Sequence, residues 1–165
     1  MIDFVAARRM MVDGQVRTSD VTDLRLIAAM LDVARERFVP QAKAALAYLD
    51  IDLPAMEGEA GAPVRCLVKP MVLAKLIQAA EIGAGDHVLD VGCGTGYSSA
   101  ILARLAGSVV ALEQEPPDGV LLLGIGRPIL LDRVIRPILA HRALRNVRFV
   151  LVLHLGTPGP RVNCG

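Results

Sequence analysis

The sequence predicts an α/β fold, a short parallel sheet left incomplete and preceded by a helical region, and three observations predict it. Between His87 and Glu113 an apolar run, three closely spaced glycines, a segment of helical period and a second apolar run occur in order. Upstream, two stretches carry apolar residues at the spacing of one helix face. Beyond Pro117 that regularity stops and the charge changes sign, from a balance of −4 over residues 1–117 to +5 over 118–165.

Residues from about 3 to 47 read as helices, with Asp20 or Thr22 as a cap for a run bearing Leu24, Ile27, Ala28, Leu31 and Val33 on one face. Pro40 ends or interrupts the next helical stretch. Residues 50–64, rich in Pro, Gly and acids, read as a loop. Pro70 is placed to open a helix with Val72, Leu73, Leu76, Ile77 and Ala80 at helical spacing, ending near Gly83 or Gly85.

The next stretch carries the chemistry. Val88–Val91 suits a buried parallel strand, Gly92–Gly96 a tight turn, Ser98–Ala106 a helix and Val109–Leu112 a second strand closed by Glu113. Together they form a βαβ unit of the Rossmann-like kind. A glycine turn there lets a ligand approach the backbone, and the helix start offers amides to an anion, such as the carboxylate of a methionine moiety. Glu113 lies 21 positions after Gly92, the distance at which an acid reaches both ribose hydroxyls of a nucleoside. The glycines at 92, 94 and 96 do not match the dinucleotide spacing, and Asp90 stands two residues before the first. A carboxylate in that place suits a ligand with an ammonium group better than a pyrophosphate. The other reading of the glycines is a plain tight turn.

Composition narrows the partners. Of the 165 residues 53% are hydrophobic and 21% charged, enough to build one core. The 3% of aromatics and the net charge of +1 argue against a nucleic-acid or membrane surface. Gly119–Leu139 is broken by arginines, aspartate and prolines, so no membrane span is expected, and Met1–Phe4 does not begin like a secretory leader. Cys66, Cys93 and Cys164 are odd in number and far apart, which suits reduced thiols. They and His87, His141 and His154 show no metal-ligand spacing, and the cytoplasm is the expected location.

The segment Val88-Leu89-Asp90-Val91-Gly92-Cys93-Gly94-Thr95-Gly96-Tyr97 resembles the first motif of S-adenosylmethionine-dependent methyltransferases. Met11-Val12, Gln15-Val16, Ala29-Met30, Val33, Arg35-Glu36-Arg37-Phe38-Val39-Pro40, Ala47-Tyr48 and Asp50 resemble the N-terminal region of protein-L-isoaspartate O-methyltransferases. The resemblance covers roughly residues 4–115 and implies S-adenosyl-L-methionine as cofactor and an isoaspartyl protein or peptide as acceptor. It implies a cofactor site of Asp90, Gly92, Cys93, Gly94, Thr95, Gly96, Tyr97 and Glu113, with residues 1–64 on the substrate side and 65–117 as the cofactor core. For Cys93 the alternative is a small packing residue, for Tyr97 an ordinary helix-start contact, and for Lys69 a solvated side chain instead of one facing the cleft.

Two departures qualify the resemblance. The family's Thr-Ile-Ser-x-Pro segment is here Cys66-Leu67-Val68-Lys69-Pro70, so its serine, implicated in substrate handling, is Val68 and the catalytic residue is unknown. Two alternatives arise: a different methyl acceptor, or an inactive cofactor-binding remnant. The segment 118–165 diverges; Leu144–Val150 reads as a third strand with its approach, the expected Gly-Asp turn is missing, and Gly124–Gly126 reads as a turn. The tail is therefore expected to leave the sheet incomplete, with weak stability and little turnover. Oligomeric state is not legible.

Overall fold

The structure, a computed structural model, describes residues 2–54 and 66–113 and the backbone of 121–126 and 147–150. Helix α1 (Phe4–Met11) starts where Asp3 accepts hydrogen bonds from the Val5 and Ala6 amides, both at 3.0 Å. It widens into a π-turn over Val12–Val16, tightens into a 3₁₀ turn over Arg17–Ser19, and ends at Asp20 in the left-handed region at φ 60°.

Helix α2 (Leu24–Asp32) is capped by Asp23, which accepts from the Arg25 and Leu26 amides, so neither Asp20 nor Thr22 is the cap. The reason lies outside the helix. Gln78 takes the Thr22 and Asp23 amides on Oε1 and donates to the Asp20 carbonyl, fixing those residues as the approach. The buried face is also rotated from the expected one: Leu26, Ile27, Ala29 and Met30 are buried, while Leu24 and Ala28 are exposed.

Short 3₁₀ turns at Arg35–Phe38 and Gln41–Leu46 flank Pro40. Within the stretch expected as a loop, β1 (Leu53–Pro54) pairs antiparallel with β2 (Cys66–Leu67); residues 55–64 lie outside the described residues. Cys66 is disulfide-bonded, against the expectation of a reduced thiol; Cys93 is free and buried.

Helix α3 (Pro70–Ala79) begins at the proline as expected and buries Leu73, Ala74 and Ile77, leaving Leu76 half-exposed. Each large apolar side chain buried in this way contributes about 1.5–3 kcal/mol. The helix stops before Gly83 and Gly85, because Glu81 turns the chain at φ 49°.

Strand β3 (His87–Val91), helix α4 (Tyr97–Leu102) and strand β4 (Ser108–Glu113) form the βαβ unit, with β3 and β4 parallel and His87 opposite Ser108. Gly107 brings the chain back onto the sheet. A Cβ there would meet the Ala84 carbonyl oxygen at 2.9 Å, so the approach requires glycine. Helix α4 is shorter than expected and continues as turns through Ala106.

Two further strands complete the order β5-β4-β3-β6. β6 (Val147–Val150) lies parallel to β3, within the expected third-strand segment. β5 (Leu121–Gly126) runs antiparallel to β4, so Gly124–Gly126 belongs to a strand and not a turn. Between β4 and β5 lie residues 114–120, too few for a parallel crossover, which takes about a dozen or more, so the next strand must reverse direction. The described core joins α1–α4 to β3 and β4, with Met11, Leu26, Met30, Leu73, Ile77 and Ile101 among its most deeply buried members.

Candidate cofactor site

The site forms where β3 and β4 end side by side. Asp90 pairs with Ala111 and Val91 with Leu112, so Glu113 stands one residue beyond the last pair. Between β3 and α4 the chain turns through Gly92, Gly94 and Gly96 at φ 72°, 56° and 88°. Residues with a Cβ rarely adopt such angles, which accounts for the three glycines. The Gly92 amide donates to the Leu112 carbonyl at 2.7 Å, and the Gly96 amide to the Cys93 carbonyl at 2.8 Å. Among the described residues, a Cβ added at Gly94 or Gly96 would meet nothing within 4 Å, so the turn presents open space.

Both acids are fully buried beside this turn. Glu113 accepts the Gly94 amide on Oε2 at 2.7 Å, locking the glycine turn to the neighbouring strand. Asp90 accepts the Ser98 and Ser99 hydroxyls on Oδ2 at 2.8 and 2.5 Å, tying the end of β3 to the first turn of α4. Sequence reasoning missed both serines. The available signal was their position directly after the glycine turn, one helical turn from the acid's strand.

Cys93 is buried, and its thiol is pushed up to about 11 by burial and by the Asp90 and Glu113 carboxylates. It is protonated at neutral pH, in keeping with a packing residue rather than a nucleophile. Thr95 donates its hydroxyl to the Phe38 carbonyl at 2.7 Å. Tyr97 is fully buried, with its ring edge-on to Phe38 at 5.5 Å and under the Arg35 guanidinium at 4.8 Å. Burial pushes the Tyr97 hydroxyl up, and the Arg35 charge works the other way. The turn thus rests against the Arg35–Phe38 segment, a contact that sequence spacing alone did not place.

Val68 precedes Lys69 at the start of α3, and its carbonyl accepts from Arg35 Nη2 at 2.9 Å. The Lys69 amide donates to Asp52 Oδ1 at 2.7 Å. Among the described residues no group of three or more His, Cys, Asp or Glu side chains is arranged to hold a metal ion, and no helix is long and apolar enough to cross a membrane.

The sequence profile of the family described as Protein-L-isoaspartate(D-aspartate) O-methyltransferase (PCMT) matches residues 7–117. The chain belongs to this family. The chain is 43% identical over 109 residues to the Protein-L-isoaspartate O-methyltransferase 2 of Anaeromyxobacter sp. (strain Fw109-5), covering 66% of this chain and 42% of that one. It is 39% identical over 116 residues to the Protein-L-isoaspartate O-methyltransferase of Geobacter metallireducens, covering 70% and 51%. The chain therefore spans about half the length of the curated relatives it matches.

Solved structures share the fold. A protein-L-isoaspartate O-methyltransferase superposes with a TM-score of 0.55 at 23% identity, covering 87% of this chain and 41% of that one. A Plasmodium falciparum protein-L-isoaspartate O-methyltransferase, solved with S-adenosyl-L-homocysteine, gives 0.51 at 16% identity over 86% and 61%. The α/β architecture with its N-terminal helical region is thus that of the family's methyltransferases.

Proposed function

We propose that this chain binds S-adenosyl-L-methionine on the Gly92–Gly96 turn and serves methyl transfer to the carboxylate of an L-isoaspartyl residue in a damaged protein or peptide. The observation that carries this reading is the open glycine turn flanked by two buried carboxylates at the ends of parallel strands. The described residues fit the group: a Cβ at Gly94 or Gly96 would meet none of them within 4 Å, and the Asp90 and Glu113 carboxylates both bond to the turn or the helix it opens. Bound there, the cofactor would supply an electrophilic methyl group on a sulfonium sulfur.

The chain's own residues then have binding and orienting to do. Asp90, oriented by Ser98 and Ser99, provides negative charge for an ammonium group. Glu113 ends β4 and accepts the Gly94 amide, which supports a contact from its carboxylate to ribose hydroxyls beside the turn. Cys93, Thr95 and Tyr97 shape the turn from within and from below. An acceptor carboxylate is already ionised at neutral pH, so no strong general base is required and alignment supplies the rate. A role in protein repair follows from that acceptor.

Val68 favours a second reading, in which the cofactor is bound but the acceptor differs or turnover is lost. A valine side chain neither donates nor accepts a hydrogen bond, so the family's serine chemistry is missing from this position. Calorimetric titration with S-adenosyl-L-homocysteine and methyl transfer to matched isoaspartyl and aspartyl peptides separate the cases. Saturable binding with methylation of the isoaspartyl peptide alone is expected. Binding without that methylation moves the assignment to the second reading, and no binding by the folded chain overturns both.

A further inference from the structure

Arg35 is fully buried, an unusual place for a guanidinium, and it reaches three separate parts of the molecule. Its Nε donates to the Ala47 carbonyl at 2.7 Å and its Nη2 to the Val68 carbonyl at 2.9 Å. Its Cζ lies over the ring of Tyr97, the first residue of α4, at 4.8 Å from the centroid. The same 3₁₀ turn supplies Phe38, which packs on Tyr97 with its ring and takes the Thr95 hydroxyl on its carbonyl. The Arg35–Phe38 turn therefore touches the cofactor turn on one side and the residue-68 backbone on the other.

Stability alone does not account for this arrangement. Burial disfavours the charged form of Arg35, and its side-chain interaction with Tyr97 offsets only part of that cost. A well-packed apolar residue is often at least as stabilising as a buried charge. What an apolar residue cannot do is hold two carbonyls and a ring in one fixed plane.

We infer that Arg35 is a positioning residue that couples the cofactor turn to the acceptor-side segment 66–69 through Tyr97 and the Val68 carbonyl. The inference rests on the proposed cofactor reading. Ordering of the glycine turn by a ligand steadies Tyr97; Tyr97 fixes the plane of Arg35; Arg35 then restrains Val68 and the start of α3. Arginine is required because lysine's three donors radiate from one nitrogen and lack the planar fork that reaches Ala47 and Val68 from separate nitrogens while the guanidinium sits over a ring.

The test is amide hydrogen exchange on the 165-residue chain with and without S-adenosyl-L-homocysteine, for the natural sequence and for Arg35→Lys, with calorimetry alongside. In the natural chain, saturation is expected to slow exchange of Leu67–Lys69 at least threefold, in step with the glycine turn. In Arg35→Lys, affinity is expected to stay within about threefold while the slowing at 67–69 disappears and that at 92–96 remains. A merely structural role would speed exchange at 67–69 with and without the ligand by the same factor. Binding that leaves 67–69 unchanged in the natural chain overturns the inference alone, even should Arg35→Lys fail to fold. Slowing that survives in Arg35→Lys also overturns it. No heat of binding in the natural chain overturns the cofactor reading and this inference with it.

Discussion

Glu113 has two demands on one side chain. Its Oε2 accepts the Gly94 amide, and the proposed ribose contact asks more of the same carboxylate. The two demands separate by substitution. Glu113→Ala removes both and is expected to weaken S-adenosyl-L-homocysteine binding by about 1.5–3 kcal/mol, the scale of a hydrogen bond to a charged group. Glu113→Gln keeps an acceptor for Gly94 but loses the charge, so it is expected to retain the fold and lose roughly half as much. Isothermal titration of both variants checks this, and equal affinity in all three proteins would exclude a ribose role. Sequence spacing placed Glu113 and Asp90 at strand ends correctly. It did not foresee that each acid would be engaged by its own chain, because hydrogen-bond partners depend on distances that only the fold sets.

At the scale of elements, the N-terminal helices are joined by polar side chains as well as by apolar packing. Tyr48 donates its hydroxyl to Glu36 and accepts from Arg8 Nε at 2.9 Å, while Arg8 Nη1 donates to the Leu31 and Asp32 carbonyls. This network ties α1 to the end of α2, to the Arg35–Phe38 turn and to Tyr48 beyond the Gln41–Leu46 turn. The Tyr48 hydroxyl is pushed up to about 12 by burial and by its bond to Glu36. The native state therefore keeps its proton after the unfolded chain has lost it near the ordinary value of 10. Its contribution is complete below pH 10 and lost as pH rises from about 10 to 12. Tyr48→Phe should cost about 1–3 kcal/mol at neutral pH, since it leaves Glu36 and Arg8 without a shared partner. Urea unfolding of both proteins across that alkaline window should show the steeper loss in the natural chain.

For the whole molecule, the expected consequence of a ligand-binding turn is linkage. S-adenosyl-L-homocysteine at a hundred times its Kd should stabilise the native state by about 2.7 kcal/mol. For a chain of this size that amounts to a rise in Tm of roughly 5–10 °C. Differential scanning calorimetry measures it, and an unchanged Tm at saturating ligand would count against binding. The same scan addresses the expectation of weak stability. The sheet has a parallel centre, β4-β3-β6, and an antiparallel edge strand β5. A sharp transition together with robust methyl transfer would show that these strands complete a working fold.

The βαβ unit, its glycine turn, the two strand-end acids and the start of α3 at Pro70 were legible in the residues alone. These are local: an apolar run, a backbone demanding φ above zero and a fixed imino acid act over a few residues. The sequence also carried the family resemblance in the Arg35–Pro40 segment, without saying what that segment touches. Tertiary structure decided the rest. Local periodicity around α2 pointed to Leu24, Ile27, Ala28, Leu31 and Val33, but packing against the core selected Leu26, Ile27, Ala29 and Met30 within the helix. Asp23 became the cap because Gln78, 55 positions away, holds the preceding turn. Gly124 and Gly126 entered a strand because β4 offers an open edge after too short a connection for a crossover. Arg35, named in the sequence only as part of the family-like Arg35–Pro40 segment, was buried between two carbonyls and a ring. Each of these outcomes depends on partners distant in the chain, and such contacts form only when the chain closes on itself.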